Sequence, residues 1–138
     1  MTEPNEQYAY FTISGDFNPV DISKRLGMMP TEAWGKGDIN PRTQLERKFS
    51  RWSLYSRLER SRELEGHIAD VVEQMGAKRA DFVALSLQYG GQMQLVAYFK
   101  TSYPGLHLKR RLVESLTEYA LSVDFDFYYL YSDCREDS

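Results

Sequence analysis

The chain of 138 residues has little of what disulfide scaffolds, cysteine-rich metal sites and membrane spans require. Its single cysteine, Cys134, has no partner for an intrachain disulfide, which excludes a disulfide framework and favours a reducing cytoplasm. A cysteine-rich metal site is excluded for the same reason. No run of about 18 apolar residues occurs, so we expect no membrane span. The polar residues 1–7 lack the apolar stretch of a signal peptide. We therefore expect a cytoplasmic protein.

The overall charge argues against a general nucleic-acid binder. The formal net charge is −3, whereas neutralising phosphates requires a basic surface. The charge is nevertheless unevenly distributed, because residues 42–62 hold seven basic side chains and two acidic ones. This segment predicts a local basic patch; the alternative is a solvated loop and helix start.

What the chain does contain is enough apolar material for a core. Hydrophobic residues make up 42% of the sequence and aromatic residues 14%. At this length one domain is expected. We predict a single domain over residues 1–138, with about 1–7 and 132–138 as frayed tails.

The spacing of apolar residues predicts an alternation of strands and helices. Alternating apolar positions predict strands, whereas positions three and four apart predict helices. One helix has clear ends, since Asn18 is a good N-cap, Pro19 suits the first turn and Gly27 suits the C-terminal cap. The Gly90-Gly91 pair, between two apolar runs, predicts a hairpin. The predicted strands are 8–14, 32–35, 50–56, 82–89, 92–100 and 123–131, and the predicted helices are 19–26, 61–75 and 106–120.

This order, β-α-β-β-α-β-β-α-β, predicts an α+β fold with two overlapping ferredoxin-like units. We expect a mainly antiparallel sheet with helices on one face and the other face partly wet.

The most distinctive stretch is the Gly-Lys-Gly loop with a tryptophan beside it. It is not a P-loop, because the Walker spacing is absent. Its backbone amides and Lys36 predict an anion nest, and the alternative is a tight loop whose glycines adopt positive φ. We take as the candidate binding surface Trp34, Gly35, Lys36, Gly37, Asp38, Arg51 and Trp52. Trp52 alternates with Leu54 on a predicted strand and is expected in the core.

Other groups suggest less chemistry. A nucleophilic role for Cys134 is disfavoured because the residue lies close to the chain end. Asp124 and Asp126 share one strand face, and their simpler role is to solubilise the open face of the sheet instead of carrying out acid–base chemistry. Neither His67 nor His107 belongs to a metal-binding pair. The sequence thus predicts no catalytic, cofactor-binding or metal-binding residue.

Four tyrosines are predicted to share the open face of the sheet: Tyr8, Tyr10, Tyr98 and Tyr128. Such aromatics stack bases in RNA-binding sheets, but the RNA-binding consensus is missing here and nearby aspartates repel phosphate. Tyrosine also gives large contact area with a polar tip. A protein contact or self-association is therefore the favoured interpretation.

Several short motifs resemble one family. They are Phe11-x-Ile13-Ser14, Asp21-Ile22-x-x-x-Leu26-Gly27-x-x-Pro30, Gly35-Lys36-Gly37, Trp52-Ser53-Leu54, Leu64-Glu65-x-His67-Ile68 and the closing run from Val123 to Tyr128. Over about residues 8 to 130 the chain resembles the uncharacterised bacterial family called domain of unknown function 4279. The resemblance implies a small bacterial cytoplasmic protein and brings no established activity, cofactor or catalytic residue.

The sequence favours a non-enzymatic domain that binds another protein or associates with itself. One alternative is a toxin-neutralising immunity protein, whose acidic surface would meet a basic toxin. Another is a small-anion or metabolite sensor that uses the Gly-Lys-Gly loop. An enzyme with an unfamiliar site is the remaining hypothesis.

Overall fold

A computed structural model describes residues 4–131 as a mixed α+β structure built on one five-stranded sheet. The elements follow one another along the chain, with a single 3-10 turn at Gly76–Lys78 between two helices. The strands are β1 (Glu6–Gly15), β2 (Glu32–Trp34), β3 (Ser50–Tyr55), β4 (Gln92–Phe99) and β5 (Ser122–Tyr129), and the helices are α1 (Pro19–Leu26), α2 (Leu64–Met75), α3 (Arg79–Tyr89) and α4 (Arg110–Glu118).

The sheet has the spatial order β2-β3-β1-β4-β5. Neighbours are antiparallel from β2 to β4, and β5 runs parallel to β4. A parallel neighbour needs a crossover connection, and α4 lies in the connection between β4 and β5. The predicted mainly antiparallel sheet is therefore found together with one parallel pair at its edge.

One face of the sheet forms the hydrophobic core with the helices. Phe11 in β1 pairs directly with Leu54 in β3 and Met93 in β4, and all three are buried. Paired residues point to the same face of a sheet. Apolar residues of α1, α2, α3 and α4 join the same cluster, so the helix layer covers this face.

Trp52 lies at the centre of this core, as expected from its alternation with Leu54. Its side chain is 0% exposed, its ring lies edge-on to Phe11 and Phe82, and its indole N–H donates to Ser23 Oγ at 3.0 Å. As a member of the candidate binding surface Trp52 was placed wrongly, because its strand position points it into the helix layer.

The first helix has the ends that the sequence predicts. Asn18 Oδ1 accepts a hydrogen bond from the Val20 amide at 3.0 Å, and Pro19 occupies the first turn. Gly27 adopts φ +65° and its amide bonds to Ser23 O, which is the left-handed C-terminal cap that glycine permits. Local chemistry alone fixes this element.

The predicted strand at 82–89 is wrong, and so is the hairpin over Gly90-Gly91. The segment is α3, which buries Phe82, Leu85 and Ser86 at helical spacing. Gly90 caps it with φ +69°, and the amides of both glycines donate to Ser86 O. Paired glycines serve a hairpin turn or a helix cap equally well, and here they end a helix.

The loss of that strand leaves five strands instead of six. Both overlapping units predicted from the sequence contained it, so neither forms as predicted. The last helix is also shorter than predicted. It begins at Arg110 instead of Leu106, since residues 101–109 adopt irregular structure, and Ala120 with φ +57° lies just beyond its end.

Two further expectations from the sequence concern membrane-spanning helices and the start of the first strand. Within residues 4–131, no helix has the length and apolar character needed to cross a membrane. Strand β1 begins at Glu6, two residues before the predicted start.

Candidate functional site

The candidate site is organised by a loop that leaves the sheet after β2 and returns to it at β3. Within this loop Ile39 forms an isolated antiparallel bridge to Glu46, and the Arg47 amide donates to Asp38 O at 2.7 Å. The Gln44 amide bonds to Asn40 O, with Gln44 itself at φ +62°. Residues 35–49 therefore form an ordered, hairpin-like loop.

Trp34 lies on the open face of the sheet, paired with Arg51 across β2 and β3. Its indole N–H donates to Phe49 O at 3.1 Å. The guanidinium carbon of Arg47 lies 3.7 Å from the centroid of the Trp34 ring, and that of Arg51 lies 5.4 Å away. Two cations thus stack on one indole, an arrangement that contributes about 0.5–2 kcal/mol per pair.

Apolar side chains border this stack. Leu45 is 68% exposed and Phe49 is 42% exposed, and both line a cavity of about 240 Å³ together with Trp34 and Arg47. We refer to Trp34, Leu45, Arg47, Phe49 and Arg51 as the Trp34 surface. It combines an aromatic centre, exposed apolar groups and two guanidinium groups.

The charge around the Trp34 surface is positive. Residues 34–51 contain five basic side chains and two acidic ones. Arg51 also donates through Nε to Ser14 Oγ at 3.1 Å, which orients its head group. The basic patch predicted for residues 42–62 therefore contributes two of its arginines directly to this surface.

The Gly-Lys-Gly loop is a tight turn whose backbone amides are already used. Asp38 closes the turn by accepting from the Gly35 amide through its side chain while its own amide donates to Gly35 O. Gly37 adopts φ +95°, which glycine permits. The acceptors of the four amides of residues 35–38 are, in order, Asp38 Oδ2 at 2.8 Å, Ser50 Oγ at 2.9 Å, Arg47 O at 2.9 Å and Gly35 O at 3.0 Å.

These hydrogen bonds leave the loop without free backbone amides for binding an anion. A nest requires several amides that point at the ligand, whereas here only the Lys36 ammonium group faces outward. That group lies 3.6 Å from Asp16 Oδ2, beside a shallow cavity of about 510 Å³. The Lys36 ammonium group is therefore directed towards Asp16, while the backbone of the turn contacts Arg47 through the Gly37 amide.

Ser50 holds the turn against the body of the protein. Its side chain is buried, accepts from the Lys36 amide and donates to Phe17 O at 2.5 Å. One hydroxyl group thus links the turn to the connection between β1 and α1.

The tyrosines predicted for the open sheet face lie there and stack on one another. Tyr10 stacks on Tyr55 at 4.3 Å between ring centroids, and Tyr98 stacks on Tyr128 at 4.9 Å. Burial raises the pKa of Tyr10 and Tyr55, and Glu32, which accepts from the Tyr55 hydroxyl at 3.1 Å, raises that of Tyr55 further. These phenols stay neutral near neutral pH, so they act as contact and hydrogen-bonding groups.

Sequence reasoning missed Arg47, Phe49 and Tyr55 as members of these surfaces. Arg47 belongs to the predicted basic patch, but only the folded loop brings it over Trp34. Tyr55 follows Arg51 by four positions on an alternating strand. This even spacing indicates that the Arg51 and Tyr55 side chains share the open face.

His67 is a structural residue. It is fully buried, and its Nδ1 lies 2.6 Å from Ser56 Oγ. Burial lowers its pKa, although the backbone carbonyls of Glu59 and Arg62 oppose part of that shift. Its Nε2 has no hydrogen-bond partner among the described atoms.

An ion pair between a buried carboxylate and an exposed guanidinium group lies one helical turn further along α2. Asp70 accepts from the Arg57 amide at 2.8 Å and from the Arg57 guanidinium at 2.7 Å, and Gln74 adds a third donor. Burial opposes ionisation of Asp70, but these hydrogen bonds and the charge of Arg57 outweigh it and lower the pKa. The pair fixes the chain as it leaves β3.

Other candidate groups do not converge. Among residues 4–131, no three His, Cys, Asp or Glu side chains lie close enough to share a metal ion. Asp124 and Asp126 lie on the open face of β5, opposite Gln94 and Val96. Cys134 lies outside the described residues.

Comparison with known proteins confirms the family suggested by the sequence motifs. No curated protein and no solved structure gives a significant match to the chain. The sequence model described as "Domain of unknown function (DUF4279)" matches residues 5–130, and the chain belongs to that family.

Proposed function

We propose that the protein is a non-enzymatic protein-interaction domain that binds an acidic partner through the Trp34 surface. The observation that carries this proposal is the stacking of Arg47 on Trp34 at 3.7 Å, with Arg51 on the same ring. Tryptophan and arginine are the residue types most enriched where single side chains dominate binding energy. The surface brings both types together where the ordered loop 35–49 meets β2 and β3.

The geometry supports binding because the charged groups are held before a partner arrives. A free arginine loses about 0.5–1.5 kcal/mol of side-chain entropy when it is immobilised in an interface. Arg47 is held by the Trp34 ring and Arg51 by Ser14, which reduces that loss. A carboxylate of the partner would accept from these guanidinium groups, and an apolar side chain would fill the cavity beside Leu45.

The chemistry of these groups supports recognition over catalysis. Guanidinium groups stay protonated, and an indole donates a hydrogen bond but accepts no proton near neutral pH. Neither is a nucleophile or a general base under these conditions. We therefore propose no reaction at this surface.

The proposal is tested by capturing partners from cells of the source organism with the wild-type protein and three variants. Trp34→Phe keeps an aromatic ring but removes the N–H donated to Phe49, and Arg47→Glu reverses the stacked charge. Arg110→Glu, an exposed position on α4, is the matched charge control. We expect one or more proteins to be retained by the wild type and the control and lost with Arg47→Glu. Equal retention by all versions contradicts the proposal.

A toxin-neutralising role is an alternative form of protein binding that uses an acidic surface instead of the Trp34 surface. It is supported by the acidic surplus outside residues 42–62, where ten basic residues face eighteen acidic ones, since such a surface complements a basic toxin. It predicts that a captured partner is a secreted toxin whose activity the protein inhibits. A partner without toxicity contradicts it.

A small-anion sensor is the remaining alternative, and Lys36 beside its shallow cavity is the feature that favours it. Binding would raise the melting temperature with the logarithm of the ligand concentration once that concentration exceeds Kd. Phosphate, sulfate and nucleotides should then stabilise the wild type but not Lys36→Ala. Unchanged melting with all of them removes this alternative.

We also propose that the fold is ferredoxin-like and that the protein is located in the bacterial cytoplasm. The order β2-β3-β1-β4 with antiparallel neighbours supports the first, with β5 as an addition. The single cysteine supports the second.

A further inference from the structure

Strand β5 is a long edge strand of the sheet. It has eight residues, Ser122–Tyr129, and pairs only with β4 among the described strands. The opposite edge, β2, has three residues. Edge strands in monomeric proteins are commonly kept short because their unpaired backbone groups can pair with another chain. The two edges of this sheet therefore differ in their capacity to accept a further strand.

The backbone groups available at the β5 edge can be assigned from its pairing. The Ser122 amide donates to Gly91 O at 3.1 Å and the Leu130 amide to Phe99 O at 2.8 Å. Backbone groups alternate in direction along a strand, so the even-numbered residues of β5 face β4. The outward amides and carbonyls then belong to Val123, Phe125, Phe127 and Tyr129.

The side chains along this edge differ sharply between its two faces. On the helix side, Phe125 is 54% exposed and Tyr129 is 55% exposed, and neighbouring Tyr103 is 45% exposed. The Tyr103 and Tyr129 rings lie 6.0 Å apart. On the open side, Asp124 and Asp126 alternate with them. The edge thus presents apolar rings on one face and carboxylates on the other.

The carboxylates determine which occupant fits. In a two-fold pairing of β5 with a second copy, the open faces meet and bring aspartates of both copies together, and like charges opposite one another destabilise a sheet. Residues 132–138 of the same chain carry three acidic side chains and one basic one, so they are similarly disfavoured. A strand with lysine or arginine at every second position complements Asp124 and Asp126.

We propose that an extended segment of a partner protein, alternating basic with apolar residues, adds to β5 as a sixth strand. Its backbone would pair with the outward groups of Val123, Phe125 and Phe127, as in other strand-addition complexes. Its basic side chains would face the two aspartates, and its apolar side chains would cover Phe125 and Tyr129. This site lies at the opposite edge of the sheet from Trp34, so its test is independent of the Trp34 surface.

The test uses the full chain and three synthetic eight-residue peptides. The first alternates lysine with valine, the second has four lysines followed by four valines, and the third alternates glutamate with valine. Amide NMR spectra report the contact and affinity. We expect the first peptide to shift and slow the exchange of the Val123, Phe125 and Phe127 amides, and to bind at least about tenfold more tightly than the others.

Two sets of variants separate charge recognition from backbone pairing. Replacing both aspartates (Asp124→Lys with Asp126→Lys) should weaken the lysine–valine peptide about tenfold and make the glutamate–valine peptide the tighter ligand. Phe125→Pro and Phe125→Ala both remove the ring, but only proline removes the outward amide while leaving the pairing with β4. We expect Phe125→Pro to bind about fivefold more weakly than Phe125→Ala.

Four results overturn the proposal. Equal affinity for the alternating and the block lysine peptides shows attraction by charge alone. Unchanged peptide preference in the double aspartate variant, whose substitutions lie on the open face of the sheet and not in the core, removes the assigned charge recognition. A dimer in sedimentation experiments with protected β5 amides makes a second copy the occupant. A tenfold gain in peptide affinity on removal of residues 132–138 makes that segment the occupant.

Discussion

Gly91 gives the sharpest test of the helix that replaces the predicted hairpin. A Cβ atom added at Gly91 would lie 2.6 Å from Ser86 Cβ and 2.9 Å from Ser86 Cα, far inside van der Waals contact. The Ser86 Cα belongs to the backbone of α3 and cannot rotate away. Gly91→Ala should therefore force α3 and β4 apart locally.

The expected magnitude follows from this contact. Insertion of an extra methyl group into a closely packed region costs about 1–3 kcal/mol. For a chain of this length, each kcal/mol lowers the melting temperature by about 3–4 °C. We therefore expect Gly91→Ala to melt about 3–12 °C below the wild type. In the hairpin predicted from sequence, residue 86 would lie within a strand and Gly91 in the two-residue turn, so no such collision would occur.

Gly76 provides the matched control. It has φ −59°, and an added Cβ would meet no atom within 4 Å. Gly76→Ala should stabilise the protein by about 0.4–1 kcal/mol, because alanine restricts the unfolded chain more than glycine does. Thermal melting followed by circular dichroism measures both variants. Equal stability of Gly91→Ala and the wild type would refute the placement of Gly91 against Ser86.

Three further outcomes follow from buried polar groups. Because burial lowers the pKa of His67 below that of the unfolded chain, the unfolded state binds more protons below pH 6.5, and stability falls there as pH falls. In urea unfolding, His67→Gln should therefore lose less free energy of unfolding between pH 6.5 and 5 than the wild type does. Equal losses in the two proteins contradict this. Asp70→Asn should cost about 1–3 kcal/mol of stability by weakening the hydrogen bonds to Arg57. The lowered pKa of Asp70 stabilises the fold at pH values above the pKa of the unfolded chain, so the variant should lose less stability than the wild type on acidification below pH 4. An unchanged acid transition argues against this. Ser50→Ala should cost about 1–3 kcal/mol because the Lys36 amide and Phe17 carbonyl lose their shared partner, and faster hydrogen exchange of the Lys36 amide should accompany it.

The elements with local signals were the ones that the sequence predicted. Asn18, Pro19 and Gly27 define the ends of α1 by their own chemistry, and the regular apolar spacing of α2 defines that helix. Alternation also predicted that Trp52 faces the core and that Asp124 and Asp126 share one face.

The misassigned elements depend on packing instead. The run from Phe82 to Tyr89 fits alternation as well as helical spacing, and only its contact with β1 and the core selects the helix. Two glycines then become a cap. Leu106 and Leu108 pack against the core from irregular structure, so their apolar character did not indicate a helix.

The candidate binding surface stays a prediction, and the structure changes which residues lie beside Trp34. Two of its predicted members, Trp34 and Arg51, are neighbours because β2 pairs with β3. Arg47 joins them only because residues 35–49 fold back through the bridge between Ile39 and Glu46. No local sequence pattern predicts that the loop folds back in this way. The sequence therefore indicated Gly35 and Gly37 of the turn as site residues instead of Arg47, which lies over the Trp34 ring.

Hydrogen–deuterium exchange of the protein with a captured partner tests the proposed interaction most directly. The Trp34 surface predicts slower exchange in residues 34–51 of the complex, and affinity at least about tenfold weaker for Arg47→Glu than for Arg110→Glu. Unchanged exchange in residues 34–51, together with equal affinity of the two variants, would contradict the assignment of this surface as the binding site.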